Sequence, residues 1–230
     1  MNGLLLINKP AGITSHDVVS RVRRILKIKE VGHSGTLDPL ATGLMVLLVG
    51  EATKLSSYVT EGDKSYQVGL KFGVTTDTLD ISGQILTEQQ VFSSQNEIEN
   101  AALQLKGEFN LPVPMYSAKK IDGKKLYEYA RSGEIIEQPY KVMKFWDITK
   151  IEESEFHLHC SKGSFIRSWV QLLGERLGVG ATLSSLKRTG SHRYSLSEAS
   201  SLDDLEALDV SEIDKMLIPL DQALKGVKSI

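Results

Sequence analysis

A glycine-rich loop that runs straight into an uncharged apolar stretch leaves this chain few ways to fold. Residues Gly32 to Gly43 read G-H-S-G-T-L-D-P-L-A-T-G and pass without a break into Leu44 to Val49. The apolar stretch has the length and composition of a buried strand. Gly32, Gly35 and Gly43 allow backbone conformations that other residues resist, while Pro39 fixes its own φ and biases Asp38 toward an extended conformation. One carboxylate, Asp38, is therefore expected at the rim of a sheet, where a rigid element can aim a reactive group. Turn chemistry alone also accommodates Asp38-Pro39 as the start of an ordinary turn, so local sequence leaves both readings open.

The remaining composition narrows the class. A chain of 230 residues with 41% hydrophobic and 24% charged residues can bury one large or two small cores. Its single cysteine, Cys160, excludes an internal disulfide framework and a cysteine-cluster zinc site. His157 and His159 alternate beside Cys160 with no further ligand in sight, so no metal site is expected. No apolar run approaches the ~20 residues of a membrane span, and Leu4 to Ile7 is too short for a secretory core. The expected location is the cytoplasm.

The net charge of −2 conceals a segregation of sign. Arg21, Arg23, Arg24, Lys27 and Lys29 form one basic cluster, Lys119, Lys120, Lys124, Lys125 and Arg131 a second, and Lys187, Arg188 and Arg193 a third. Glu198 to Asp214 carries only acidic charges. Each cluster reads either as a solvated face or as a footprint for a polyanion.

Along the chain, Thr14 with Asp17 three residues on resembles a capping box, and Val18, Val19, Val22, Ile25 and Leu26 then share one helical face. Arg21, Arg24 and Lys27 are left outward. Tyr66 to Phe72 alternates as a strand, and Ile98, Ala101, Ala102 and Leu105 mark a second helix. Asp122-Gly123 between lysine-rich flanks signals a hairpin turn, making residues from about 113 to 139 a basic, thumb-like excursion. Phe156, Leu158 and Cys160 alternate as a half-buried strand, and Ile166, Trp169, Val170, Leu173 and Leu177 mark a helix beginning near Ser164, with Arg167 in its first turn. Without repeats or long linkers, the simplest architecture is one mixed α/β (α+β) catalytic domain spanning residues 1–230.

The twelve residues Gly32 to Gly43 closely resemble the catalytic-loop signature of the TruB family of tRNA pseudouridine synthases. The resemblance continues in order through N-K-P-A-G-I-T-S (Asn8 to Ser15), K-S-Y (Lys64 to Tyr66), Y-S-A-K-K-I-D-G-K-K-L-Y-E-Y-A-R (Tyr116 to Arg131) and C-S-K-G-S-F-I-R (Cys160 to Arg167). It implies the pseudouridine synthase fold, a long, mixed, largely antiparallel sheet flanked by helices with a central cleft. It further implies isomerisation of the T-loop uridine at position 55 of tRNA, without a cofactor.

By that resemblance Asp38 is the essential nucleophile or base. Arg167 pairs with it to favour ionisation, Tyr66 stacks on the base, His33 inserts near the place the extruded uridine vacates, and Leu186 is an apolar pocket residue. Lys119, Lys120, Lys124, Lys125, Arg131, Lys187 and Arg188 are expected along the RNA backbone. Phe165 departs from the tyrosine frequent in the family and keeps the ring while losing the hydroxyl. The chain is also expected to lack a complete C-terminal PUA domain, which weakens its hold on the acceptor-stem side of tRNA, and to act as a monomer without an obligate protein partner or guide RNA.

Two other readings compete. A serine hydrolase would need G-x-S-x-G, and Thr36 stands at the last glycine. A non-catalytic tRNA-binding or tRNA-folding protein would need only the basic clusters and the thumb.

Overall fold

The computed structural model describes residues 1–56 and 62–223. The protein is mixed α/β, and among the described residues the largest sheet has ten strands in parallel and antiparallel pairs, flanked by helices. The chain divides into two compact units, Met1–Tyr66 with Leu186–Ile230, and Gln67–Ser185.

The first unit is built on two strands buried on both faces, β1 (Gly3–Lys9) and the later strand Thr42–Val49. They pair antiparallel with Leu5 opposite Leu47 and Ile7 opposite Met45. Burial on both faces explains why each reads as a continuous apolar run rather than an alternation. One face of the pair packs Leu4, Leu6, Leu44, Val46 and Leu48 with Ala52 and Tyr194. Between the two strands come α1 (Ser15–Leu26) and the short β2 (Val31–His33), so that Thr42–Val49 is β3.

Helix α1 has the expected capping box: Thr14 Oγ1 accepts from Asp17 N, and the Asp17 carboxylate accepts from Thr14 N at 2.8 Å. It buries Val18, Val19, Val22 and Leu26 and ends at Lys27 in the left-handed conformation, φ 57°. Strand β2, which the sequence did not suggest, pairs His33 with Leu47 and carries the first two residues of the signature into the sheet.

The second unit holds β4 (Lys64–Phe72) from Gln67 onward, the ribbon β5 (Val74–Thr76) and β6 (Ile85–Glu88), α2 (Gln95–Leu103) and β7 (Gly107–Pro112). The thumb-like excursion follows as β8 (Lys120–Ile121), β9 (Lys124–Lys125) and α3 (Leu126–Ser132). Its hairpin turns through Asp122 (φ 49°) and Gly123 (φ 82°), the pair of positive φ values that a two-residue I′ turn needs.

Next come β10 (Tyr140–Glu152), β11 (Glu155–Cys160), α4 (Ile166–Arg176) and β12 (Ala181–Ser191), which passes back into the first unit at Leu186. Strand β10 lies between β7 and β11, antiparallel to both. Trp169 of α4 is fully buried against Phe145 and Phe156, with ring centroids 6.5 and 6.1 Å away.

The first unit closes with β13 (Tyr194–Ser195), β14 (Ser200–Ser201), α5 (Leu202–Glu206), α6 (Val210–Met216) and α7 (Leu220–Ala223). Strand β14 joins β1 in parallel, which sets the acidic α5 beside α1. Arg21 there donates to Glu206 at 2.6 Å and to Asp203 at 2.9 Å. The acidic stretch thus takes up one charge of the first basic cluster, a pairing of distant segments that charge patterning along the chain does not reveal.

Candidate active site

In the first unit, Asp38 sits half-buried in a segment of no regular secondary structure whose main chain is nevertheless bonded at almost every residue. Such accounting matters because backbone polar groups removed from water need partners. Ser34 N donates to Val46 O at 3.0 Å, and Ala41 N donates to Asp38 O at 3.0 Å, closing the turn that Asp38-Pro39 begins. The dipeptide thus starts a turn, and the turn is held.

Three buried side chains do much of the holding. Ser15, at the start of α1, accepts from Leu37 N at 2.8 Å and donates to Leu37 O at 2.9 Å. Lys9, fully buried at the end of β1, donates to Ala41 O at 2.6 Å, Pro10 O at 2.9 Å and Pro39 O at 3.4 Å. Burial lowers its pKa to about 8, against the opposing pull of the Asp38 charge. Arg188 of β12 donates to Leu44 O at 2.6 Å, Gly35 O at 3.4 Å and Thr36 O at 3.5 Å.

Gly43 makes the approach of β12 possible. It has φ +97°, and a Cβ there would lie 2.3 Å from Arg188 O. Strand β12 runs parallel to β3 at this point, with Arg188 opposite Gly43. Gly43→Ala is expected to destabilise the protein by more than about 2 kcal/mol, through both the left-handed φ and the clash, as urea denaturation would measure.

His33, at the end of β2, is half-buried, and burial followed by the nearby Arg188 charge pushes its pKa below the ordinary value, leaving a neutral imidazole at pH 7. Tyr66 is buried on β4 beside Ser65, which accepts from Thr189 Oγ1 at 2.9 Å. Leu186 is buried, and its carbonyl accepts from Thr42 Oγ1 at 3.4 Å. Lys187, next in β12, is exposed.

The second unit presents a different arrangement. Arg167, the second residue of α4, is 4% exposed and donates to Thr78 O and Tyr116 O, both at 2.9 Å. Its Nη1 lies 3.9 Å from Asp80 Oδ2. Asp80 is 5% exposed and accepts from Ser82 N at 3.0 Å, Thr78 Oγ1 at 2.9 Å and Ser82 Oγ. Phe165 precedes the helix, half-buried, with its backbone N–H directed at Met143 Sδ.

In the thumb, Lys124 pairs with Glu134 and lies 4.4 Å from the centre of the Tyr129 ring, while Lys125 and Arg131 each lie 5.3 Å from that of Tyr127. Lys120 is exposed and Lys119 partly so.

Two buried charged residues, one in each unit, are not marked as functional candidates by the sequence. Lys9 stands in N-K-P-A-G-I-T-S without a role of its own, since lysine is seldom buried. Asp80 stood in an unremarked polar run, although Thr78-x-Asp80-x-Ser82 has the spacing of a carboxylate capped by its own neighbours. Among the described residues, no cluster of three or more His, Cys, Asp or Glu side chains could hold a metal ion.

Comparison with known proteins gives the family. The model for the TruB family pseudouridylate synthase N-terminal domain matches residues 23–166, and that for the tRNA pseudouridylate synthase B C-terminal domain matches 167–225. The chain belongs to the TruB family of pseudouridylate synthases.

A tRNA pseudouridine synthase B of Bdellovibrio bacteriovorus is 51% identical over 235 residues, covering 100% of this chain and 76% of that protein. The protein of the same name from Opitutus terrae is 42% identical, covering 99% of this chain and 96% of its own. Among solved structures, a chain in a Cbf5–Nop10–Gar1 complex superposes with a TM-score of 0.73 at 24% identity, covering 97% of this chain and 61% of that one. That last likeness concerns the fold. As a TruB-family member the protein is an isomerase, a pseudouridine synthase. No helix among the described residues is long and apolar enough to cross a membrane.

Proposed function

We propose that this TruB-family enzyme converts the T-loop uridine at position 55 of tRNA to pseudouridine, with Asp38 as its nucleophile or base. The observation that carries the reading is the loop itself: a carboxylate held on a main chain bonded to Ser15, Lys9 and Arg188 is aimed before substrate arrives. The names of the relatives supply the substrate class.

The reaction detaches uracil from C1′, turns it and rejoins it through C5, so no atom or electron is exchanged with a cofactor. Asp38 must be ionised to act. The proposed partner is Arg167, whose guanidinium favours the charged carboxylate. The target base has to leave its stack, at a cost of a few kcal/mol. Tyr66 offsets part of that by stacking, and His33 occupies the vacated place as a neutral imidazole. Phe165 and Leu186 contribute apolar walls, and Phe165 brings no hydroxyl to the base.

Lys187 and Lys120, both exposed, and Lys119 are the best-placed of the proposed phosphate contacts, followed by Arg131, Lys124 and Lys125, which also contact thumb tyrosines or Glu134. The proposed substrate is recognised through its T-arm by a cytoplasmic monomer without a guide RNA.

The test is pseudouridine formation in an unmodified tRNA and in its isolated T-arm stem-loop, mapped by carbodiimide labelling and primer extension, since mass is unchanged by the isomerisation. Conversion at the T-loop uridine is expected in both. Binding without conversion in full-length tRNA would replace this reading with that of a tRNA-folding protein. Tyr66→Phe, assayed in parallel, is expected to lower kcat by about 10²–10⁴-fold if the hydroxyl moves a proton, with KM changed little because the stacking ring remains. Full activity in Tyr66→Phe would confine Tyr66 to stacking.

A further inference from the structure

Lys187 and Arg188 are adjacent cations, and a basic pair beside an RNA-modifying site suggests two phosphate contacts. Their surroundings separate them. Strand alternation in β12 sends Lys187 into solvent and Arg188 inward with Leu186, and Arg188 is only 2% exposed.

The inward guanidinium spends its donors on one segment. Nε bonds Leu44 O near the start of β3, while Nη2 and Nη1 reach Gly35 O and Thr36 O on the near side of Asp38. Lys9 bonds Pro39 O and Ala41 O on the far side. The carbonyls flanking Asp38 on both sides are thus held by buried cations, and Leu37 by Ser15.

We infer that Arg188 is a positioning residue for the reaction, acting through the carbonyls of Gly35, Thr36 and Leu44 to fix the loop that carries Asp38, rather than an RNA-backbone contact. This rests on the reading of Asp38 as the reacting group. A planar fork can serve three carbonyls at once, whereas a lysine ammonium at the end of its stem cannot reproduce that geometry. Asp38 is also the carboxylate whose charge acts most strongly on Lys9.

The decisive variant is Arg188→Lys, which keeps the charge, accompanied by Arg188→Met. Three readouts are taken on the full chain: kcat and KM for conversion of the T-arm stem-loop, tRNA affinity as a function of salt, and hydrogen exchange of the Leu37 and Ala41 amides. Displacements of about 1 Å at a reacting group cost on the order of 10²-fold in rate. In Arg188→Lys, kcat is expected to fall by at least about 10-fold, with KM and the salt slope unchanged, and exchange across the loop to rise while amides of β10 stay protected.

An unchanged kcat with weaker tRNA binding and a salt slope reduced by about one would overturn the inference in favour of a phosphate contact. Unchanged loop exchange would overturn it as well. Should Arg188→Met fail to fold, Arg188→Lys decides alone. If the wild-type protein converts no T-loop uridine, the proposed function falls, and loop exchange in Arg188→Lys still reads the positioning role by itself.

Discussion

Asp38→Asn is expected to abolish pseudouridine formation, lowering kcat by at least about 10³-fold, because the proposed reaction is routed through this carboxylate and asparagine offers neither its charge nor its nucleophilicity. The substitution is nearly isosteric. The turn it sits in is closed by Asp38's own carbonyl and Ala41 N, and the flanking carbonyls are held by Lys9 and Arg188, none of which needs the side-chain charge. The thermal midpoint is therefore expected to stay within a few degrees of wild type.

Binding should not suffer either. Removing a negative charge near a polyanion relieves repulsion, so the Kd for tRNA is expected to be unchanged or tighter. One electrostatic consequence is specific to this structure. Lys9 loses the charge that opposes its burial, and its pKa should drop below about 8, which NMR of a 15N-labelled lysine side chain would detect. Substantial conversion by Asp38→Asn would remove Asp38 from the chemistry altogether.

Arg167→Met is expected to lose both activity and stability, for separable reasons. The buried guanidinium serves Thr78 O, Tyr116 O and the Asp80 carboxylate within the second unit. Its loss leaves Asp80, 5% exposed, as a buried charge without its ion-pair partner. Breaking a buried pair from one side costs about 3–5 kcal/mol, or roughly 6–20 °C in Tm for a chain of this size.

The catalytic loss, at least about 10²-fold in kcat, comes from the proposed charge partner of Asp38. The double variant Arg167→Met/Asp80→Asn distinguishes the two. Asparagine still accepts from Ser82 N without carrying a charge, so stability should largely return while kcat stays low. Arg167→Lys should fall between, since it keeps a charge for Asp80 but not the planar fork that reaches Thr78 O and Tyr116 O from two separate nitrogens. Near-normal turnover in Arg167→Met would remove Arg167 from the reaction.

The sequence by itself determined the local elements and pointed to the carboxylate proposed to react. Thr14 and Asp17 cap α1 because both halves of the box lie three residues apart, and Asp122-Gly123 closes its hairpin because the turn needs two positive φ values. The signature around Asp38 is legible because it is contiguous, and the family it points to is the one to which the chain belongs. These features depend on neighbours along the chain.

What only the tertiary structure decided is the fate of the charges. Lys9, Arg188 and Arg167 are buried because carbonyls or a carboxylate from segments 30 to 153 residues away along the chain receive them, and no window of sequence contains such partners. Arg21, expected outward, finds its acids 182 and 185 residues away. Even Arg188 left a trace, since it shares parity with apolar Leu186 and so had to face inward with it. Parity states that two residues share a face. Which face is buried is set by what packs there, and that is decided in three dimensions.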